Sequence, residues 1–305
     1  MLVEENKTNE AIIKTISFFD MFDFPLTSLE VWKYLSVSVD LLSLENNLTG
    51  LVEAGKIEKN NGFYYLFGRE KIIIDRLQRY NYAERKFARV FWVSQIFRFI
   101  PWVEMVAVGN LIGVNNLRDG GDIDLFIVAR AGRLWLVRFF TTALMTLFRL
   151  RPRPGAERDK ICLSFYASDQ ALNFEELLLN HDDWYLVYWL AGLRPIFDRN
   201  HNYEKLISNN AWLKEKIPNW FPAGSATRHE VEQGDGKFYN KFVDIIFGSW
   251  EKTLKSWQMK HFPGEIKSLM NQDKRVIVND NMIKLHTNDR RGVFQEKFNQ
   301  LRITN

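Results

Sequence analysis

Residues 106–128 read VAVGNLIGVNNLRDGGDIDLFIV, and the fold turns on how this stretch is parsed. An apolar run, Val106 to Val108, ends in Gly109-Asn110. Twelve positions after Asn110 comes Asp122, then Asp124, then the apolar run Leu125 to Val128. Residues two apart in a strand point to the same face. Asp122 and Asp124 therefore aim both carboxylates at one spot, with Ile123 buried behind them. A Gly-Gly-Asp turn leading into a strand would explain Asp122 alone, as a turn cap. It does not explain Asp124, because an unpaired carboxylate inside an apolar run is costly. Two acids at this spacing suit Mg²⁺ (or Mn²⁺), which takes oxygen ligands and is commonly held by one or two carboxylates plus substrate phosphates.

The surroundings of the pair are basic. Residues 81–160 carry thirteen Lys/Arg against seven Asp/Glu, whereas residues 1–80 carry nine against twelve. The positive charge thus lies in the segment that holds the aspartates, which suits a polyanion such as a nucleoside triphosphate. With 305 residues the chain can bury a sizeable core and form two or three domains. The single cysteine, Cys162, excludes an intrachain disulfide and Cys-rich zinc sites, and is read as a buried, inert strand residue. One thiol fits a reducing compartment, and MLVEENKTNE lacks the basic and apolar pattern of a secretory signal, so the expected location is cytoplasmic. Leu134 to Phe148 is strongly apolar but contains Arg138 and has fifteen residues, short of the roughly 20 that span a bilayer. It is read as a helix buried against a sheet, and no membrane partner is expected.

Upstream, residues 9–22 have helical apolar spacing and Pro25 breaks them off. Thr27-Ser28 offers an N-cap to a second helix, and residues 41–54 form a third, ended by Gly55. Two short extended runs around Asn60-Asn61-Gly62 then signal a hairpin. Three helices and a hairpin resemble a winged helix-turn-helix over residues 1–68. DNA is the less favoured partner for it. The third helix has no Lys or Arg and carries Glu45 and Glu53, whereas a helix entering the major groove needs bases to meet phosphates.

Residues 69–100 are read as one connecting helix whose bases, Arg76, Arg79, Arg85, Lys86 and Arg89, form a solvated face. After Val128 come a turn, the apolar helix over 133–150, the charged loop RPRPGAERD, and a strand in KICLSFYAS. Residues 173–192 read as a helix, as do 238–260, and RVIVN near residue 277 is a short apolar run before a basic closing helix. The histidines His181, His201, His229, His261 and His286 show no metal-ligand spacing. His286 with Arg290 and Arg291 is read as a solvated helix start.

The order strand, Gly-polar turn, connection, Asp-apolar-Asp strand and helix resembles the DNA polymerase β-like nucleotidyltransferase superfamily, in particular predicted bacterial members with an N-terminal winged-helix-like module. The specific likeness covers about residues 103–130. It implies an α/β (α+β) fold, with a nucleotidyltransferase-type mixed sheet and flanking helices. The winged-helix-like module (1–68) and connecting helix (69–100) would precede that domain (101–200), and a mainly helical region (201–305) would follow. It implies that Asp122 and Asp124 are catalytic and hold Mg²⁺, that Gly109 lets the backbone approach phosphates, and that Asn110 donates to a phosphate oxygen, with Gly121 in the same binding turn. The implied reaction moves a nucleoside monophosphate from a triphosphate to an acceptor hydroxyl on a small molecule, protein or RNA. The family's later strand normally supplies a third carboxylate, and KICLSFYAS has none. Ser164 stands where that acid is expected, and Asp169, Glu157 and Asp159 are the nearby substitutes. The alternative is therefore a catalytically inactive nucleotide-binding or partner-binding protein, with the winged helix as a regulator's working surface.

Overall fold

A computed structural model of the chain describes residues 2–109, 112, 113, 115–179, 182–222, 231 and 243–304. Asn110, His181, His229 and residues 238–242 of the expected 238–260 helix lie outside the described residues.

The N-terminal part runs α1 (Leu2–Asp20), β1 (Leu26–Thr27), α2 (Ser28–Tyr34), α3 (Leu41–Glu53), β2 (Glu58–Asn60) and β3 (Phe63–Tyr65). Thr27 closes a capping box with Glu30, which fixes where α2 begins. Asp40 caps α3 by accepting from the Ser43 amide. Asn61 and Gly62 both have positive φ, the backbone a two-residue hairpin turn requires. The three short strands pair in the order β1-β3-β2.

Helix α4 (Lys71–Phe97) follows, and its bases overturn the expectation of a solvated face. Arg76 is buried against the Glu30 carboxylate (2.7 Å) and over the Phe24 ring. Arg79 donates to the Phe22 carbonyl (2.8 Å) and to Asn116 Oδ1 (2.5 Å). The Lys86 side chain is 0% exposed and pairs with Asp159 at 2.9 Å. Arg85 meets both Asp119 and Asp159, and Arg89 donates to the Asp159 carbonyl. These charges tie the N-terminal part and the Asp119–Gly121 turn to one helix.

The central sheet has six strands in the order β7-β4-β5-β6-β9-β8, formed by β4 (Val103–Val108), β5 (Ile123–Ala129), β6 (Ile161–Ser168), β7 (Arg194–Asp198), β8 (Val276–Val278) and β9 (Met282–Leu285). Only β5 and β6 run parallel, because α5 (Leu134–Leu147) carries the chain back between them. Met105, Ala107, Phe126, Val128 and Phe165 belong to a core cluster that also holds residues of α1, α3 and α6 (Trp184–Gly192). Val106, Val108, Leu125, Ile127 and Leu163 face α4, α5 and the helix Glu251–His261. With both faces covered, β5 is apolar at nearly every position, and burial contributes about 2 kcal/mol for each large side chain. Asp124 is the exception in that run.

α5 has no side-chain cap of its own at Arg133. The Glu251 carboxylate supplies one from across the fold, accepting from the Trp135 and Leu136 amides at 2.9 Å each. Among the described residues no helix is long and apolar enough to cross a membrane. The expected helix over 173–192 divides into a short turn, Glu175–Leu177, and α6. Asp183 is the reason, since its carboxylate caps α6 at the Leu186 amide and so fixes a helix start there. The region expected to be mainly helical also contributes β8 and β9 to the sheet. They join through Asn279, whose side chain accepts from the Asn281 and Met282 amides.

Candidate functional site

The site is built at the start of β5, where three strands supply its parts. Gly109 follows β4, and its amide donates to the Asp124 carbonyl at 2.9 Å, so the glycine and the aspartate sit side by side. Across the parallel ladder Asp124 is in register with Cys162 of β6. One ligand-type atom from each of Asp122, Asp124 and Cys162 lies within 4.8 Å of the others, and all three side chains are half-buried. The sequence thus located both carboxylates. It read Cys162 as inert, whereas the register sets the thiol at the third corner of the cluster.

The electrostatics follow from burial. Partial burial pushes the Asp122 carboxyl above its usual range, and Glu157 adds to that while Lys86 and Arg151 oppose it. The Cys162 thiol is pushed up by burial first and by Asp124 second. The first effect describes a carboxylate whose charge a nearby cation would offset, and the second a thiol that keeps its proton while no cation is bound.

The turn leading into Asp122 is clamped from behind. Lys86 Nζ donates to the Gly121 carbonyl at 2.5 Å, and the Asp159 amide donates to the same oxygen at 3.1 Å. Asp119 receives Arg85 at 2.6 Å and Arg158 at 3.0 Å. Burial alone would raise the Asp159 carboxyl, but its hydrogen bonds with Lys86 and Arg85 hold it below the usual range. Gly121 therefore serves the clamp through its carbonyl.

The substitutes for a third carboxylate resolve differently from one another. Asp169 sits at the opposite end of β6, where its amide bonds the Ala129 carbonyl and its carboxylate accepts from the Ala131 amide. Six strand positions separate Ala129 from Ile123, about 20 Å of extended chain, so Asp169 does not reach the cluster. Asp159 is engaged by Arg85 and Lys86. Glu157 is exposed and acts on Asp122 through its charge.

A register shift between Asp124 and Phe126 marks a β-bulge opposite this point, and Ser164 and Phe165 lie in the offset stretch of β6. Ser164 Oγ is 2.8 Å from His286 Nε2, and the His286 ring stands edge-on to Phe165. Burial, with Lys284 nearby, lowers the His286 pKa to about 4, so the ring is neutral at pH 7. The reading of His286 as a solvated helix start is thereby corrected. The same holds for Arg291, which is buried between Asp183 and Asp289. No spacing in the sequence links His286 to Ser164, 122 residues away.

An aromatic layer lines the same face. Trp189 stacks on Phe165 with centroids 5.5 Å apart, and its indole covers Gly109 closely enough that an added Cβ would meet Nε1 at 3.2 Å. Further along the connection, Gly113 has φ +92, and an added Cβ would stand 2.6 Å from the Phe24 ring of the N-terminal part. The N-terminal part thus packs directly on the segment joining the glycine to the aspartates. An open cavity of about 580 Å³, lined by Gln170, Asn173, Glu175, Glu176 and Asn209 among others, lies beyond the far end of β6 and includes none of the cluster residues. No family model matches the chain, and no curated protein or solved structure matches it either.

Proposed function

We propose that the chain is a divalent-metal-dependent nucleotidyltransferase of the DNA polymerase β-like kind, moving a nucleoside monophosphate from a triphosphate to an acceptor hydroxyl. The observation that carries this reading is the convergence of Asp122 and Asp124 beside Gly109, at the mouth of a mixed sheet. The donor set fits a divalent cation: two carboxylates of opposite charge to the ion, one of them raised by partial burial. Asp122 and Asp124 would hold Mg²⁺ or Mn²⁺, which when bound neutralises triphosphate oxygens and stabilises charge at the attacked phosphorus. Lys86, Arg85 and the Gly121 carbonyl hold the turn so that Asp122 keeps its aim. Asn110 would donate to a phosphate oxygen, beside Gly109, whose missing side chain leaves room for the Trp189 indole. The half-buried position of the cluster lowers the local screening and strengthens each electrostatic contact.

The N-terminal order α1-β1-α2-α3-β2-β3, with its β1-β3-β2 sheet, agrees with a winged helix-turn-helix. We read the module as a support for the site. Phe24 packs on Gly113 and Arg79 bonds Asn116, whereas α3 carries Glu45 and Glu53 and no base. The acceptor is a small molecule, protein or RNA end, and the single free thiol accords with a cytoplasmic location.

One observation favours the second reading, a nucleotide- or partner-binding protein without catalysis. The third corner of the cluster is a thiol, so no carboxylate stands ready there as general base. Pyrophosphate release and transfer of α-phosphate label, measured with each triphosphate in Mg²⁺ and in Mn²⁺, separate the two. Label transfer by wild type that disappears in Asp122→Asn supports the transferase. Metal-dependent nucleotide binding without transfer supports the second reading, and absence of binding in every condition defeats both.

A further inference from the structure

The donor set at the start of β5 is mixed, and the mixture selects an ion. Asp122 and Asp124 offer hard oxygens, while Cys162 offers a soft sulfur from the neighbouring strand. The thiol is there by construction. Asp124 and Cys162 are register partners, the Gly109 amide anchors Asp124 from the other side, and the bulge falls immediately afterwards. Bulges recur beside functional sites, where they re-aim side chains. Ligand atoms around one tetrahedral ion stand about 3.6 Å apart for bonds of 2.0–2.3 Å. The three atoms here are all within 4.8 Å of one another, so rotations of three side chains bring them onto one ion.

From this geometry we infer that the corner binds a borderline-soft divalent cation, of the class of Zn²⁺ and Co²⁺, with Asp122, Asp124 and the Cys162 thiolate as its protein ligands. The inference rests on the reading that the two aspartates hold a divalent ion, and replaces the Mg²⁺ or Mn²⁺ named there by a softer one. Thiolate favours such ions strongly over Mg²⁺, which prefers six oxygens. Three protein ligands leave a fourth position open for water or a phosphate oxygen, as in catalytic rather than structural zinc sites. The cation takes the place of the thiol proton, which passes to solvent.

Co²⁺ is the probe, because a sulfur ligand adds a charge-transfer band in the near ultraviolet. The full chain is titrated with Co²⁺ and, separately, with Mg²⁺, in wild type, Cys162→Ser and Asp124→Asn, with circular dichroism confirming that each variant is folded. The expected result is a saturable band in wild type that is lost in Cys162→Ser, with Co²⁺ affinity weakened roughly ten-fold or more. Mg²⁺ affinity should change by no more than about two-fold in the same variant, since Mg²⁺ makes little use of sulfur. A wild type that binds Co²⁺ without the band overturns the inference and leaves the two-aspartate site standing, whereas a band of unchanged affinity in Asp124→Asn overturns both, because Asp124 is then no ligand. A wild type that binds neither ion overturns both.

Discussion

Replacing Lys86 by Met tests how the aspartate-bearing turn is held. The Lys86 side chain is 0% exposed, with Nζ 2.9 Å from Asp159 Oδ1 and 2.5 Å from the Gly121 carbonyl. Methionine fills nearly the same volume, so little cavity forms and the loss is electrostatic. Removing one partner of a buried ion pair costs about 3–5 kcal/mol, chiefly because the other charge is left uncompensated. Here Arg85 stays 2.9 Å from the Asp159 carboxylate, which moves the expectation to the lower end, about 3 kcal/mol. Urea denaturation at pH 7, followed by tryptophan fluorescence, measures it. A second variant, Lys86→Met with Asp159→Asn, removes the stranded charge and should recover part of the loss, with a coupling energy of at least about 1 kcal/mol. A Lys86→Met protein within about 0.5 kcal/mol of wild type would refute the reasoning, since that is the range of ordinary surface substitutions. Strict additivity in the double variant would refute the pairing.

Three further outcomes follow from the same contacts. Gly113→Ala places a methyl 2.6 Å from the buried Phe24 ring at φ +92, and should destabilise by about 2–4 kcal/mol in a thermal melt; an unchanged midpoint would mean the N-terminal part does not pack there. Glu251→Ala strips the two 2.9 Å bonds at the start of α5 and should cost about 1–2 kcal/mol, whereas Glu251→Gln should keep part of it. His286 is neutral in the fold, with its pKa lowered from 6.5 to about 4, so the unfolded chain binds the extra proton first. Its contribution is complete above pH 6.5 and is lost as the pH falls toward 4. The loss is at most about 3 kcal/mol, and less because the ring keeps some contact with solvent. His286→Gln should flatten that part of the stability-versus-pH curve, and an unaltered slope would count against a buried neutral ring.

The sequence carried the β4–β5 pair and its aspartates because burial on both faces forces unbroken apolar runs, against which Asp124 is conspicuous. Capping chemistry carried α2 and α3, and the Asn61-Gly62 turn carried the hairpin. The bases of α4 were misread for a definite reason. A charged helix face looks the same in sequence whether it meets water or carboxylates 34 to 74 residues away. Cys162 was read as a buried, inert strand residue because its place beside Asp124 follows from the register of the β5–β6 pair, which neither strand's own pattern states. β9 was hidden by Lys284, a buried lysine in a four-residue strand, whose charge is met by Asp289 at 2.8 Å. The Asp124–Cys162 pairing is not periodic and depends on two strands brought together only by the folded sheet.

The central claim is that Asp122 and Asp124 form a nucleotide–metal site. Calorimetric titration with a non-hydrolysable triphosphate, in Mg²⁺, in Mn²⁺, in Co²⁺ and in excess chelator, tests it most directly in wild type and Asp124→Asn. The account predicts binding by wild type that requires the ion and vanishes in Asp124→Asn, with circular dichroism confirming that the variant is folded. Binding that persists in chelator, or no binding with any of the three ions, would contradict it.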